Sequence, residues 1–219
     1  LNQTQRVSKV EETYRILLDQ YNSYVDILND RIKNEFSLRA NEILAYFKEL
    51  EYAQYENRYI PGQLSFDKKD FRRGVCLFVE SQPIINPHSI CVVMINLLAG
   101  NGVNIICTND KVFSQWERLH ALFFNNGISS YNFKIDRLGP IALAKVLSEQ
   151  SYHTVTFSSF DVCARYRDSF ISNNQNSWII KSYFLELNRD LEDLIDRYIQ
   201  RRSFAINTMR HGAPLELTL

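Results

Sequence analysis

Apolar residues recur at helical spacing through the first part of the chain. Tyr14, Leu17, Leu18, Tyr21, Val25, Leu28 and Ile32 form one stripe, and Ala40, Ile43, Leu44, Phe47, Leu50 and Gln54 follow a second. Side chains three and four apart share a helix face, so residues 7–58 read as two amphipathic helices. Ile60-Pro61-Gly62 then stops the second helix. The stretch from Gln63 to Arg73 is polar and carries the run Asp67-Lys68-Lys69-Asp70, which reads as a solvated loop.

From Gly74 the pattern changes to short apolar runs alternating with helical stripes. Val75 to Glu80 reads as a strand, and Pro87 to Ala99 as an apolar helix closed by Gly100. Val103 to Cys107 reads as a buried strand. Ser114 and Glu117 have the spacing of a capping box for the helix of Trp116, Leu119 and Phe123, which Asn125-Asn126-Gly127 ends. Tyr131 to Ile135 is a further strand. Pro140 suits the first turn of the next helix, with Ile141, Ala144 and Leu147 on one face. Thr154 to Phe157 is a strand, and Asp161 is a candidate cap for the helix after it. Trp178 to Leu187 reads as a longer strand and Asp190 to Phe204 as a charged amphipathic helix.

Strands alternating with helices imply an α/β fold: a Rossmann-like, mostly parallel five-stranded sheet with helices on both faces, preceded by an N-terminal helical segment. The organisation expected is a helical segment over 1–62, a dinucleotide-binding domain over 74–205 and a tail over 206–219. Ligands of such sheets bind beyond the carboxyl ends of the strands. Here those ends are Glu80 to Pro83, Thr108 to Asp110, Asp136 to Pro140, Ser158 to Phe160 and Glu186 to Arg189.

Charge and composition narrow the partners. Lys+Arg and Asp+Glu both number 25, so the net charge is zero. Neither nucleic acid nor an anionic membrane is therefore expected as a partner. No apolar run approaches the roughly 20 residues of a membrane span, and the first ten residues are too polar for a signal peptide. A cytoplasmic protein is expected. Cys76, Cys91, Cys107 and Cys163 form no C-x-x-C pair and read as buried, reduced thiols, so no metal is expected. His88, His120, His153 and His211 lie on different elements, which also weighs against a metal centre. Asp161 with Ser158, Ser159 and His153 could be drawn as a hydrolytic triad, but no G-x-S-x-G elbow accompanies them. Seven glycines in 219 residues leave few for a phosphate cradle. Tyr52, Tyr55 and Tyr59, near Arg58, are candidates for exposed aromatics at an interface.

Several short motifs then fall into a known order. Arg73-Gly74-Val75-Cys76, Leu98-Ala99-Gly100-Asn101 and Val103 through Asp110 come first. Gly139-Pro140, Thr156-Phe157-Ser158-Ser159 and Leu185-Glu186-Leu187 complete the set. Together they resemble the aldehyde dehydrogenase superfamily: the start of its first dinucleotide-domain strand, its A-x-G-N turn, its strand ending in K-P-S-E, its G-P-T-x-G helix start, its F-T-G-S turn and its L-E-L-G-G segment. The N-terminal helices and Ile60-Pro61 fit the opening segment of that family. The resemblance implies a sheet that binds NAD or NADP, and chemistry by a cysteine nucleophile, a glutamate base and an oxyanion-hole asparagine.

At the chemistry itself this chain departs from the family. Cys107 stands where the family has its cofactor lysine, and a neutral thiol cannot replace that ammonium donor. Asp110 keeps the acidic end of the same motif. Ser159 and Phe160 stand for the glycine and serine of F-T-G-S, and Ala164 for a later glycine. Phe160 would thus sit where a pyrophosphate should approach a helix N-terminus. Glu186 matches the glutamate base, but Asn188 and Arg189 replace the glycines after it, and it is expected to be vestigial. Pro83 or Asn86, depending on register, stands at the oxyanion-hole asparagine. Arg210 or His211 stands where the nucleophilic cysteine belongs, and the family's catalytic domain and bridging strands are not matched.

The expectation is a pseudoenzyme without catalytic residues or bound cofactor. It would act as a structural or protein-binding component of a larger assembly, for example a cytoskeletal, axonemal or flagellar one. A short insect family of aldehyde-dehydrogenase-like proteins with no assigned activity is similar to it. The alternative is an NAD(P)-binding module or residual oxidoreductase acting on aldehydes.

Overall fold

The computed structural model describes residues 2–20, 30–49, 55–60, 63–70, 74–150, 152–173, 178–181, 190–207, 209–210 and 213–214. Two long helices come first: α1 over Gln3–Asp19 and α2 over Asp30–Glu49. Asn2 caps α1 in a capping box with Gln5. Three antiparallel strands form a small separate sheet in the order β1 (Tyr55–Ile60), β2 (Gln63–Asp70) and β8 (Gln200–Asn207).

The main sheet has five parallel strands: β3 (Val75–Glu80), β4 (Gly102–Cys107), β5 (Phe133–Arg137), β6 (Thr154–Phe157) and β7 (Trp178–Lys181). Their order is β5-β4-β3-β6-β7, and every pairing is parallel. The connecting helices are α3 (Pro87–Ala99), α4 (Asp110–Asn125), α5 (Pro140–Glu149) and α6 (Phe160–Asn173), with α7 (Leu191–Asp196) after β7. A two-stranded pair, β9 (Met209–Arg210) with β10 (Ala213–Pro214), lies near the end.

Strict alternation along the strands feeds two cores. Phe78, Val103, Ile105 and Cys107 pack on one face with α1, α2, α3, α4 and α7. Leu77, Val79, Ile106, Val155 and Phe157 pack on the other with α5 and α6. Both faces are covered, which is why these strands read as continuous apolar runs. The α/β class and the five-stranded parallel sheet agree with the sequence expectation.

The helix ends follow local chemistry. Asn86 caps α3 with Pro87 at its first position, and Gly100 closes it at φ 81°. A Cβ at Gly100 would lie 3.1 Å from Cζ of Arg6, whose Nε donates to the carbonyl of Leu98 at 3.3 Å. Lys9 Nζ likewise donates to the carbonyl of Asn126 at 3.3 Å, at the end of α4. Two cations of α1 therefore answer the negative ends of two sheet helices and dock α1 on the sheet domain.

Several sequence expectations are corrected. Residues 55–60 are strand β1, where a helix running to 58 is expected. The run Asp67-Lys68-Lys69-Asp70 ends strand β2, where a loop is expected. β2 is the central strand of its sheet, paired along Gln63 to Asp70 with β8, so its backbone is satisfied by neighbours whatever its side-chain polarity. The helix expected over 190–204 stops at Asp196, and Gln200–Asn207 is strand β8. Arg202, Phe204 and Ile206 there recur with the period of a strand.

The capping box expected at Ser114 is also wrong. Asn109 caps α4, accepting from Lys111 N, and Ser114 donates to the carbonyl of Asp110 from within the helix at 3.2 Å. Asp161 sits in the first turn of α6, not ahead of it. β5 begins at Phe133, two residues later than expected, and only Trp178–Lys181 of the longer last strand is described.

Candidate functional site

The five strands deliver their carboxyl ends to one edge. β3 sends α3 to one face of the sheet and β6 sends α6 to the other, so the edge between them is the topological switch point where ligands of such sheets bind. Register places Glu80, Cys107 and Arg137 side by side across β3, β4 and β5. Ser158 follows β6 directly, and its N–H donates to the carbonyl of Val79 at 2.9 Å.

The centre of this edge is polar and buried. Glu80 is completely buried. Its Oε2 accepts from Ser89 Oγ at 3.1 Å, and its Oε1 accepts from Gln82 N at 3.2 Å. Burial pushes the Glu80 carboxyl above the usual carboxylate range, against hydrogen bonds from Ser158, Gln82 N, Ser89 and Ser81 N that pull it down. The N–H of Ser81 donates to Ser158 Oγ at 2.9 Å, and the two hydroxyl oxygens lie 3.3 Å apart. Thr108 N donates to the carbonyl of Glu80 at 3.0 Å and so continues the β3–β4 ladder past the strand ends.

The residues singled out in the sequence occupy this edge unevenly. Cys107 ends β4 with no exposure. Its thiol is pushed far up, first by burial and then by the charges of Glu80 and Glu117, so it offers neither a cation nor a nucleophile. Asp110 opens α4 and forms an exposed two-pronged ion pair with Arg137, whose Nη2 donates to Oδ2 at 2.8 Å. The half-buried Ser159 lends its carbonyl to Cys163 N at 3.0 Å. Phe160 is the first residue of α6 and is half exposed, and Ala164 lies exposed further along that helix.

Pro83 lies exposed in the turn after β3. Asn86 Oδ1 accepts from His88 N at 3.0 Å as the cap of α3. Glu186, Asn188, Arg189 and His211 lie outside the described residues, as does Tyr52, and Arg210 is in β9. The side chains of Tyr55, Arg58 and Tyr59 are likewise outside the description.

Sequence reasoning placed Glu80 and Arg137 only within strand-end segments, with no role for either, and missed Ser89. A carboxylate closing the apolar run Val75-Cys76-Leu77-Phe78-Val79 is a usable signal, because alternation puts it on the face of Phe78 and α3. All four cysteines are buried and free, and burial pushes the Cys91 thiol up to about 12. Among the described residues no group of His, Cys, Asp and Glu could hold a metal ion, and no helix is long and apolar enough to cross a membrane.

No protein-family model matches the sequence, and no curated protein matches it either. Solved structures do match the fold. An NAD-dependent benzaldehyde dehydrogenase from Corynebacterium glutamicum is similar over 83% of this chain and 42% of that chain, with TM-score 0.66 and 14% identity. A succinic semialdehyde dehydrogenase from Streptococcus pyogenes in complex with NADP+ is similar over 82% of this chain and 40% of that chain, with TM-score 0.67 and 14% identity. An NAD-dependent aldehyde dehydrogenase from Sinorhizobium meliloti is similar over 83% of this chain and 38% of that chain, with TM-score 0.65 and 13% identity. The chain thus has an aldehyde-dehydrogenase-like fold and spans 38% to 42% of the length of these structures.

Proposed function

We propose that this chain, with its aldehyde-dehydrogenase-like fold, is a non-catalytic member of that structural group that works by binding another protein. The observation that carries the proposal is Phe160. A half-exposed phenyl ring heads α6 at the switch point, where a phosphate-binding sheet would offer open backbone N–H groups. Cys107, buried and neutral at the end of β4 and two strands away on the same edge, supplies no charge for a nucleotide.

Exposed apolar side chains at this edge support a protein partner. Ile141 in the first turn of α5 is 89% exposed and Phe160 at the head of α6 is 50% exposed. Tyr166 Oη donates to the carbonyl of Pro140 at 3.4 Å and ties the second turn of α6 to the start of α5. Apolar groups held on a rigid edge favour burial against another surface.

A second reading is an NAD(P)-binding module, favoured by Asp110, which keeps a carboxylate at the first position of α4. Isothermal calorimetry with NAD and NADP separates the two. No heat up to millimolar ligand is expected. Binding tighter than roughly millimolar that is lost in Phe160→Asp would replace the first reading with the second. Turnover in an aldehyde oxidation assay would overturn the non-catalytic proposal itself.

A further inference from the structure

We propose that β5 is a self-complementary edge through which two copies of this chain pair, antiparallel and centred on Ile135, so that their sheets run on as one. β5 ends the five-stranded sheet, and among the described residues only β4 pairs with it. Two bonds fix which way its backbone faces. Val103 N donates to the carbonyl of Asn132 at 2.7 Å, and Leu138 N donates to the carbonyl of Cys107 at 3.1 Å. Alternate residues of a parallel ladder turn to the same neighbour, so Asn132, Lys134, Asp136 and Leu138 face β4. Phe133, Ile135 and Arg137 therefore turn their N–H and C=O groups outward. His120 of α4 reaches that outer side, where its Nε2 donates to the carbonyl of Phe133 at 2.9 Å.

An open edge is a template for another strand, and proteins commonly blunt it with charge. Here the two charges are of opposite sign and two residues apart. Lys134 and Asp136 are both exposed and share one face of β5. Arg137 lies on the other face, with its charge already answered by Asp110. Pairing about Ile135 sets Lys134 of each copy opposite Asp136 of the other. A two-fold axis at Lys134 would set lysine against lysine, and one at Asp136 would set carboxylate against carboxylate. Opposite charges across a strand pair stabilise it and like charges destabilise it, so the run from Phe133 to Arg137 selects its own register.

The backbone suits the same register. The two Ile135 residues exchange both N–H···O bonds as a hydrogen-bonded pair. Arg137 N–H of each copy meets the carbonyl of Phe133 in the other, which keeps a lone pair beside the His120 bond. Apolar surface flanks the edge. Phe124, 54% exposed, stacks on the His120 ring with centroids 6.4 Å and planes 15° apart, and Tyr131, just ahead of β5, is 87% exposed. A two-fold pair uses up this edge on both copies, so it closes as a dimer.

This inference does not rest on the proposed function, which concerns the carboxyl ends of the strands. Its test is sedimentation equilibrium of the full chain over a range of concentrations. A monomer–dimer equilibrium is expected. Lys134→Asp alone and Asp136→Lys alone should each weaken it at least about tenfold, and the two together should restore it. Ile135→Pro should abolish it while leaving the β4 ladder whole, because the Ile135 N–H faces away from β4. If the proline variant does not fold, the charge exchange decides by itself, since both of its positions are exposed. A chain that stays monomeric up to its solubility limit overturns the proposal. So does a dimer that the single reversals leave intact or that the double reversal fails to restore.

Discussion

Ser81 donates its backbone N–H to Ser158 Oγ at 2.9 Å, across 77 residues of sequence and across the point where the sheet changes winding direction. This bond and the Val79–Ser158 backbone bond hold β3 and β6 together past the carboxyl end of their paired residues. Ser158→Ala leaves the half-buried Ser81 N–H without its acceptor. An unsatisfied donor costs about 1–2 kcal/mol. Urea unfolding should show a lower midpoint with an unchanged slope.

Glu80 should make stability fall as pH rises. Burial raises its carboxyl above the ordinary value of 4.5, so between the two values the folded protein binds a proton that the unfolded chain releases. Stability from this group is complete below pH 4.5 and is lost as pH climbs through the elevated folded value. His88 works in the opposite direction, because burial and the charge of Arg39 lower its pKa and its stabilising effect is lost on acidification. The difference between the intact protein and Glu80→Gln cancels the histidine. Glu80→Gln should match the intact protein in mild acid and exceed it at neutral pH, measured by denaturant unfolding across that range. A constant difference at every pH would show that Glu80 does not titrate there.

The sheet domain was legible for identifiable reasons, and the misses have reasons too. Cys76 to Val79 and Thr154 to Phe157 are buried on both faces, so the first reads as an unbroken apolar run and the second as a run of β-branched and aromatic residues. Pro87, Gly100 and Pro140 act through backbone geometry that any tertiary setting preserves. β2 and β8 carry charge in runs, and the strand pairing that fixes them joins residues far apart, such as Lys69 with Arg201. No local window contains that pairing. Glu80 was visible only as a polar residue ending a strand. Its burial depends on Ser89 and Ser158, which topology brings to it from α3 and β6. Phe160 was legible as a misplaced residue because its position relative to a strand end is local. The fate of Asp110 was not, since its partner Arg137 comes from the next strand but one in space from β3.

Trp116 should prove essential as a ring and dispensable as an indole. It is fully buried in α4, edge-on to Phe78 and Phe133 with ring centroids 6.4 Å away in both cases. Its Nε1 finds no hydrogen-bond partner among the described residues. Trp116→Ala opens a large cavity and should cost about 3–5 kcal/mol, enough to unfold a marginal domain. Trp116→Phe removes the unsatisfied donor while keeping most of the packing, so it should cost under about 2 kcal/mol. Thermal unfolding followed by far-UV circular dichroism distinguishes the two.

Asn101 should be among the least replaceable polar residues of the domain. It is 1% exposed and follows the left-handed Gly100 that ends α3. Its Nδ2 donates to Asn96 Oδ1 at 3.0 Å and to the carbonyl of Tyr198 at 2.8 Å, and its Oδ1 accepts from Gly74 N at 3.3 Å. One side chain thus joins the helix α3, the residue that opens β3 and the segment after α7. Asn101→Ala strands these buried groups together. Two or three unsatisfied polar groups should cost about 2–4 kcal/mol in all. Asn101→Asp keeps the acceptor for Gly74 but turns both donors into an acceptor facing oxygens, so it should be no milder than alanine. Hydrogen exchange gives a local readout: Tyr198 and Ile199, both buried, should lose protection more than α5 or α6 do. Uniform loss of protection across both cores would instead mean that Asn101 acts on global stability alone and does not specifically anchor the segment after α7.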